Sequence, residues 1–310
     1  MVTDSRWCKI TSSALLRFEG PDAQAFLQGQ LTNTVQALTS ARSQYSGYCT
    51  AKGRLLACLL LWQHDGAYFA LLPREIGEPI RKRLSMYILR AKVKATDVSV
   101  DHVCFGVAGA DAAQCVSALA GAAPANVHDA RHEDGVSILK LPVNRYLVAA
   151  AAAKAPAIER ALTQCATVAA ESLWSQLDIE AGIPTIVAAT QEQFVPQTVN
   201  FDFIDALSFD KGCYPGQEIV ARTHYLGKSK QRMVRAHVDS ADVPHAGDKL
   251  YSEAFGDQAS GMIVSAVSSN AHKHDVLAVV QTSSIEKEDV HWKSVAGPTL
   301  KIIALPYAVK

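Results

Sequence analysis

The sequence predicts an α+β protein that ends in a small all-β unit, and two observations carry that prediction. Through residues 1–170, antiparallel strand patterns alternate with amphipathic helical patterns and never repeat one right-handed crossover unit. From Gln231 onward, short strand-like runs follow one another between Gly, Pro, Ser, Asp and His turns, with no obvious helix among them. At 310 residues the chain exceeds the usual single-domain size, and 49% hydrophobic with 19% charged residues is a composition that buries real cores. The boundary falls at 228–232. Residues 1–230 form the α+β region, read as two intertwined subdomains, and residues 231–310 a barrel or sandwich.

The elements follow from local pattern. Pro21-Asp22 opens a helix through Phe26, Leu27 and Leu31. Tyr45–Cys49, Leu55–Trp62 and Ala67–Leu72 read as an antiparallel meander, turned at Ala51-Lys-Gly-Arg54 and at His64-Asp-Gly66. Ile76, Ile80, Leu84, Tyr87 and Ile88 share one face of a helix over 75–90. Strands near 92–100 and 103–107 come next, then a helix from Asp111 to Gly121. Strands at 137–141 and 146–150 and helices at 155–165 and 171–181 complete this part, the last stopped by Gly182-Ile-Pro184. Beyond it lie five strands, at 233–238, 249–252, 261–267, 276–281 and 300–305.

Composition narrows the function classes. Thirty basic and thirty acidic residues cancel, so no global field draws the chain to nucleic acid or an anionic surface. The amino terminus lacks a signal-peptide layout and no apolar run spans a bilayer, which predicts a soluble cytoplasmic protein with no membrane partner. Seven cysteines stand apart, with no C-x-x-C pair, so the expectation is reduced core thiols, neither a disulfide framework nor a chain-held metal. His272-Lys-His274 shows no evident carboxylate or cysteine partner for a metal and reads as a surface turn. P-loop, dinucleotide-binding, G-x-S-x-G and H-E-x-x-H patterns are absent.

One segment stands out. In Lys211-Gly-Cys-Tyr-Pro-Gly-Gln-Glu218, two glycines and a proline bracket a cysteine, the composition of a tight loop that presents a side chain. Lys211, with Arg222 and His224 downstream, can favour the Cys213 thiolate, since a nearby cation stabilises the charged form. Spacing and composition alone favour a purely structural cysteine. Residues 211–235 hold Lys211, Arg222, Lys228, Lys230, Arg232 and Arg235 against Glu218 alone, an attraction for a polyglutamate tail or RNA phosphates, or else a solvated face. A second basic stretch runs through Arg81, Lys82, Arg83, Arg90, Lys92 and Lys94.

The full string K-G-C-Y-x-G-Q-E-x-x-A-R resembles the signature of the YgfZ-type folate-binding proteins, relatives of the glycine-cleavage T-protein that act in iron–sulfur metabolism and tRNA modification. Further elements are similar in the same order. They are Phe26-Leu-Gln-Gly-Gln30-Leu-Thr32, Lys52-Gly-Arg54, Ile179-Glu-Ala-Gly-Ile-Pro184 within the segment from Trp174, and Phe194-Val-Pro-Gln197. They span most of the first 235 residues; the carboxy-terminal strands carry no equally specific motif.

The resemblance implies a T-protein-like folate-binding region with a small β-barrel after it, and tetrahydrofolate or another folate as ligand. It implies Glu180 as the carboxylate that accepts from the pterin edge, with Trp174 as its aromatic face. Core packing for Trp174 and a helix-end ion pair for Glu180 are the plainer alternatives. Gln30, Arg54, Lys211, Gly212, Tyr214, Gly216, Gln217, Glu218 and Arg222 complete the implied folate site, with Cys213 as its reactive thiol. The implied role is an accessory factor in iron–sulfur cluster assembly or repair, and so indirectly in tRNA modification. Its partners would be iron–sulfur proteins or cluster carriers, radical tRNA-modifying enzymes among them, and direct tRNA contact is a further expectation. The alternative is a folate-dependent aminomethyl or methyl transferase of the T-protein type, whose catalytic aspartate has no placeable counterpart here.

Overall fold

The computed structural model describes residues 5–225 and 229–309. Its first elements are β1 (Arg6–Ile10), β2 (Ser13–Glu19), α1 (Ala23–Gln28), β3 (Ser43–Cys49), β4 (Leu55–His64), β5 (Ala67–Pro73), α2 (Arg74–Ser85) and β6 (Lys94–Asp97). There follow β7 (His102–Ala108), α3 (Ala112–Ala120), β8 (Ala130–Glu133), β9 (Val136–Leu141), β10 (Arg145–Ala151), α4 (Ala155–Thr163), β11 (Thr167–Val168) and α5 (Ser172–Ala181). The last are α6 (Gln217–Tyr225), β12 (Gln231–Asp239), β13 (Lys249–Tyr251), β14 (Gly261–Ser268), β15 (Lys273–Gln281), α7 (Thr282–Glu286), β16 (His291–Trp292) and β17 (Leu300–Ile303). The chain divides into two compact units: residues up to Ser46 with Leu59–Trp174, and Gly47–Cys58 with residues from Ser175 on. The turn between β3 and β4 therefore belongs to the second unit.

In the first unit a six-stranded sheet runs β11-β1-β7-β10-β9-β8, antiparallel except for the β1–β11 pair. Alternate residues supply its inner face: Val103, Phe105 and Val107 from β7, and Tyr146, Val148 and Ala150 from β10. They bury against Cys115 and Val116 of α3 and Ile158 and Leu162 of α4, the period-2 and helical stripes that the sequence displays. The meander appears as β3-β4-β5 in a second sheet, which β2 and β6 extend. In the second unit six strands run β16-β13-β14-β15-β12-β17 and curl as a half-barrel. Val234, Ala236 and Val238 of β12 meet Val276, Ala278 and Val280 of β15 in its core.

Several expectations change. The helix expected over 75–90 ends at Ser85, whose Oγ donates back to Arg81 O at 2.8 Å and so competes with the helical ladder. Tyr87 consequently leaves the buried stripe and is 47% exposed. Helices α6 and α7 were not expected; both are short and largely polar, so neither displays a clear apolar stripe. His274 does not lie on a surface turn. It is buried at the start of β15, with Nδ1 2.9 Å from Ser268 Oγ and Nε2 3.0 Å from Ser240 O, while His272 is exposed. Cys115 and Cys165, expected to be reduced, form a disulfide. They are 50 residues apart in sequence, and the packing of α3 on α4 brings their Cα atoms to 5.7 Å, which no local spacing could signal.

In the first unit His64 and His132 stack with ring centroids 4.4 Å apart. His132 gives one ring nitrogen to Ser137 Oγ and the other to Ser40 O, each at 2.8 Å. Burial, then repulsion from His64, holds His132 below its ordinary 6.5. The unfolded chain therefore binds the proton more readily than the native one, so this contribution to stability is complete above about pH 6.5 and is lost as pH falls below it. His132→Gln should flatten the loss of stability between about pH 6.5 and 5.5 relative to wild type, read from denaturant midpoints at each pH; parallel curves would remove His132 from the acid response.

Candidate functional site

The signature loop and the Lys52-Gly-Arg54 turn meet backbone to backbone in the second unit. The turn is closed by Gly53 N donating to Thr50 O at 2.9 Å and Thr50 N to Arg54 O at 2.8 Å. Gly53 has φ +68° and Gly216 φ +80°, the left-handed region that glycine enters without strain. A Cβ on Gly216 would stand 2.5 Å from Gly53 Cα, Gly53 N and Thr50 O; one on Gly53 would stand 3.0 Å from Ile219 Cβ. The two segments thus approach backbone to backbone, leaving no room for a side chain at Gly216 and little at Gly53.

From Gly216 the chain turns directly into α6. Gln217 N donates to Tyr214 O at 3.2 Å and Val220 N to Gly216 O at 3.2 Å. Glu218 lies in the first turn of α6, and Arg222 and His224 in the last, the arrangement that complements the helix dipole. The Phe194-Val-Pro-Gln197 element holds both partners. Leu55 N donates to Phe194 O at 2.8 Å, Arg54 Nη1 to Gln193 O at 2.9 Å, and the buried Gln197 Nε2 to Val220 O at 2.6 Å. Three motifs far apart in sequence therefore form one seat.

On this seat Cys213 and Gly212 are exposed, while Lys211 and Tyr214 point inward and are buried. The Lys211 Nζ lies 5.1 Å from the centre of the Tyr214 ring, a cation–π contact. Burial lowers the Lys211 ammonium from 10.5 to about 8, and burial, with Cys49 adding, raises the Tyr214 hydroxyl. Lys211 is thus a packed member of the seat. Four other cysteines are free and buried, and burial pushes the thiols of Cys8 to about 11 and of Cys49 and Cys104 to about 12, and raises that of Cys58 too. Among the described residues Cys213 is the exposed free thiol.

The remaining candidates divide between the units. Glu180 is half-buried on α5, and its Oε1 accepts from Gln176 Nε2 at 3.0 Å. In the same unit Tyr307 donates to Gly182 O at 2.8 Å and accepts from Asn200 Nδ2 at 3.4 Å, tying the Ile179–Pro184 element to the residues after Gln197. Arg232 donates to Gln197 O at 2.6 Å and Asp202 Oδ1 at 2.9 Å. Burial raises the Asp202 carboxyl and Arg232 pulls it back. Asn200, Asp202 and Tyr307 were not foreseen, and only Asn200, three residues past Gln197, had a local cue. The basic run is dispersed by these contacts: Lys211 is buried, Arg232 is paired, Arg222 and Lys230 are exposed, and Lys228 lies outside the described residues. Trp174 and Gln30 belong to the first unit. Trp174 is 8% exposed, with the Arg145 guanidinium 4.3 Å from its ring centre. Gln30 lies just after α1, its Oε1 buried.

No family model matches the chain. It is 31% identical over 300 residues to the tRNA-modifying protein YgfZ of Sodalis glossinidius, covering 96% of this chain and 91% of that one. It is 31% identical to the protein of that name from Klebsiella pneumoniae over 301 residues, with the same coverage. The Serratia proteamaculans protein matches at 33% over 240 residues, 76% of this chain and 72% of its own. Among solved structures, the glycine cleavage system aminomethyltransferase T from Bartonella henselae superposes with a TM-score of 0.76 over 98% of this chain and 86% of that one, at 15% identity. That likeness is one of fold.

The glycine contact makes a paired prediction. Gly216→Ala should destabilise the protein by about 2 kcal/mol or more, because the added Cβ meets backbone and the left-handed φ is strained. Gly212→Ala, where a Cβ meets nothing within 4 Å, should stay within about 0.5 kcal/mol of wild type. Chemical denaturation of both variants checks this; equal effects would refute the close contact.

Proposed function

Since this chain belongs to the YgfZ family of tRNA-modifying proteins, we propose that it binds tetrahydrofolate or another folate and acts as an accessory factor in iron–sulfur cluster assembly or repair, with Cys213 as its reactive group. Its effect on tRNA modification would run through iron–sulfur enzymes. The observation that carries the reading is the seat just described, which holds one thiol in solvent while burial suppresses four others. A thiol so placed can engage a sulfur species, a cluster or a partner's cysteine as its thiolate. Cys213 belongs to no group of three or more potential metal ligands among the described residues. A cluster touching it would therefore take its remaining ligands from a partner or a small thiol.

The residues present fit a folate. Glu180 has one oxygen engaged by Gln176 and no protein partner on the other among the described residues, leaving an acceptor for a pterin N–H. Arg54, Arg222, Gln217 and Glu218 supply polar groups on the turn and on α6 of the same unit. Folate would contribute the one-carbon or redox chemistry of its ring; the chain's own residues bind it, orient it and present the thiol. The transferase alternative has only the shared fold behind it.

Titration with tetrahydrofolate, followed by tryptophan fluorescence, should show saturable binding that Glu180→Gln weakens by about 10-fold, the loss expected of one charged hydrogen bond. Cys213→Ser should keep that binding yet fail to restore iron–sulfur enzyme activity in a deletion strain. Full restoration by the serine variant would remove Cys213 from the function, and absence of binding in wild type would remove the folate.

A further inference from the structure

The turn that follows α2 presents apolar and cationic side chains together. Met86, Tyr87 and Leu89 are 66%, 47% and 88% exposed. The backbone beneath them is fastened: Tyr87 N donates to Leu84 O at 3.0 Å, Ala91 N to Ile88 O at 2.7 Å, and Lys92 N to Asp22 Oδ2 at 2.7 Å. Leu89 has φ +36°, a conformation that costs a branched residue about 1 kcal/mol or more and here turns its side chain to solvent. Three large apolar side chains displayed together on a fastened turn form the kind of exposed patch that marks an interaction site.

Charge says which kind. Between Pro79 and Thr96 there are six basic residues and no acidic one. Arg81 and Lys82 are taken by Glu78 and Lys94 by Glu19. Arg83, Arg90 and Lys92 have no carboxylate partner among the described residues. A basic stretch clustered around a half-exposed aromatic is the electrostatic footprint of a nucleic acid. Unpaired RNA bases stack on aromatic and guanidinium faces while phosphates take the neighbouring cations.

We propose that the turn formed by Arg83, Met86, Tyr87, Leu89, Arg90 and Lys92 docks an unpaired loop of tRNA, with an unstacked base on Tyr87 and backbone phosphates on the three cations. The inference rests on the tRNA context of the function proposed above and is independent of the folate and of Cys213.

Fluorescence anisotropy of a labelled, unmodified anticodon stem-loop transcript, titrated with the full chain, tests it. Three phosphate contacts predict affinity falling about 20-fold between about 50 and about 200 mM salt, at roughly 0.7 per contact for single strands. The Arg83→Glu/Arg90→Glu/Lys92→Glu variant should lose that salt dependence and at least 10-fold in affinity. Tyr87→Ala should weaken the hairpin by about 5-fold or more while leaving weak binding to a fully paired duplex unchanged. Equal hairpin binding by wild type and the triple variant would overturn the proposal. So would binding, through the same residues, to phosphatidylglycerol vesicles or polyglutamate in place of the hairpin. A chain that binds the hairpin but not tetrahydrofolate would sink the folate reading and leave this one standing.

Discussion

The contact between Gly53 and Gly216 sets the geometry on which the candidate site depends. Two left-handed turns, one between β3 and β4 and one entering α6, touch through backbone atoms with no room for a Cβ on Gly216. The contact fixes where α6 starts, and hence which way Tyr214 and Lys211 face and where Cys213 is left. Gln197 and Arg54 then lock the two turns to the Phe194–Gln197 element by hydrogen bonds whose acceptors are main-chain carbonyls. Because those bonds read backbone, the seat depends on the course of the chain more than on neighbouring side chains.

Burial sorts the thiols. The apolar interior disfavours the thiolate at Cys8, Cys49, Cys58 and Cys104, so these side chains behave as small hydrophobes. Cys213 stays in solvent because its neighbours turn inward in its place: the Tyr214 ring fills the space beneath the loop, and Lys211 lies over that ring. The loop thus keeps its apolar and cationic groups within and its sulfur without.

Much of this was legible in the sequence. Strand-like runs marked most strands of the three sheets but missed β1, β2, β8, β11 and β16, and the motif strings marked the segments that converge on the seat. Their convergence was not legible, because nothing in Lys52-Gly-Arg54 says that its glycine will meet Gly216 more than 160 residues later. The Cys115–Cys165 bond and the Tyr307 contacts escaped for the same reason: each joins residues that only tertiary packing makes neighbours. The basic residues misled in the other direction. Counting charges in 211–235 suggested a patch, yet burial of Lys211 and pairing of Arg232 with Asp202 disperse it, while the turn after α2 leaves Arg90 and Lys92 in solvent.

The most direct test of the account is alkylation of the native chain, with each cysteine followed by peptide mass. In wild type, Cys213 alone among the free thiols should label quickly. In Gly216→Ala, whose added Cβ would stand 2.5 Å from backbone atoms of Gly53 and Thr50 and so drives the two turns apart, Cys49, which neighbours Tyr214, should begin to label alongside it. Rapid labelling of several cysteines in wild type, or identical patterns in the two chains, would contradict the claim that the glycine contact seats the loop.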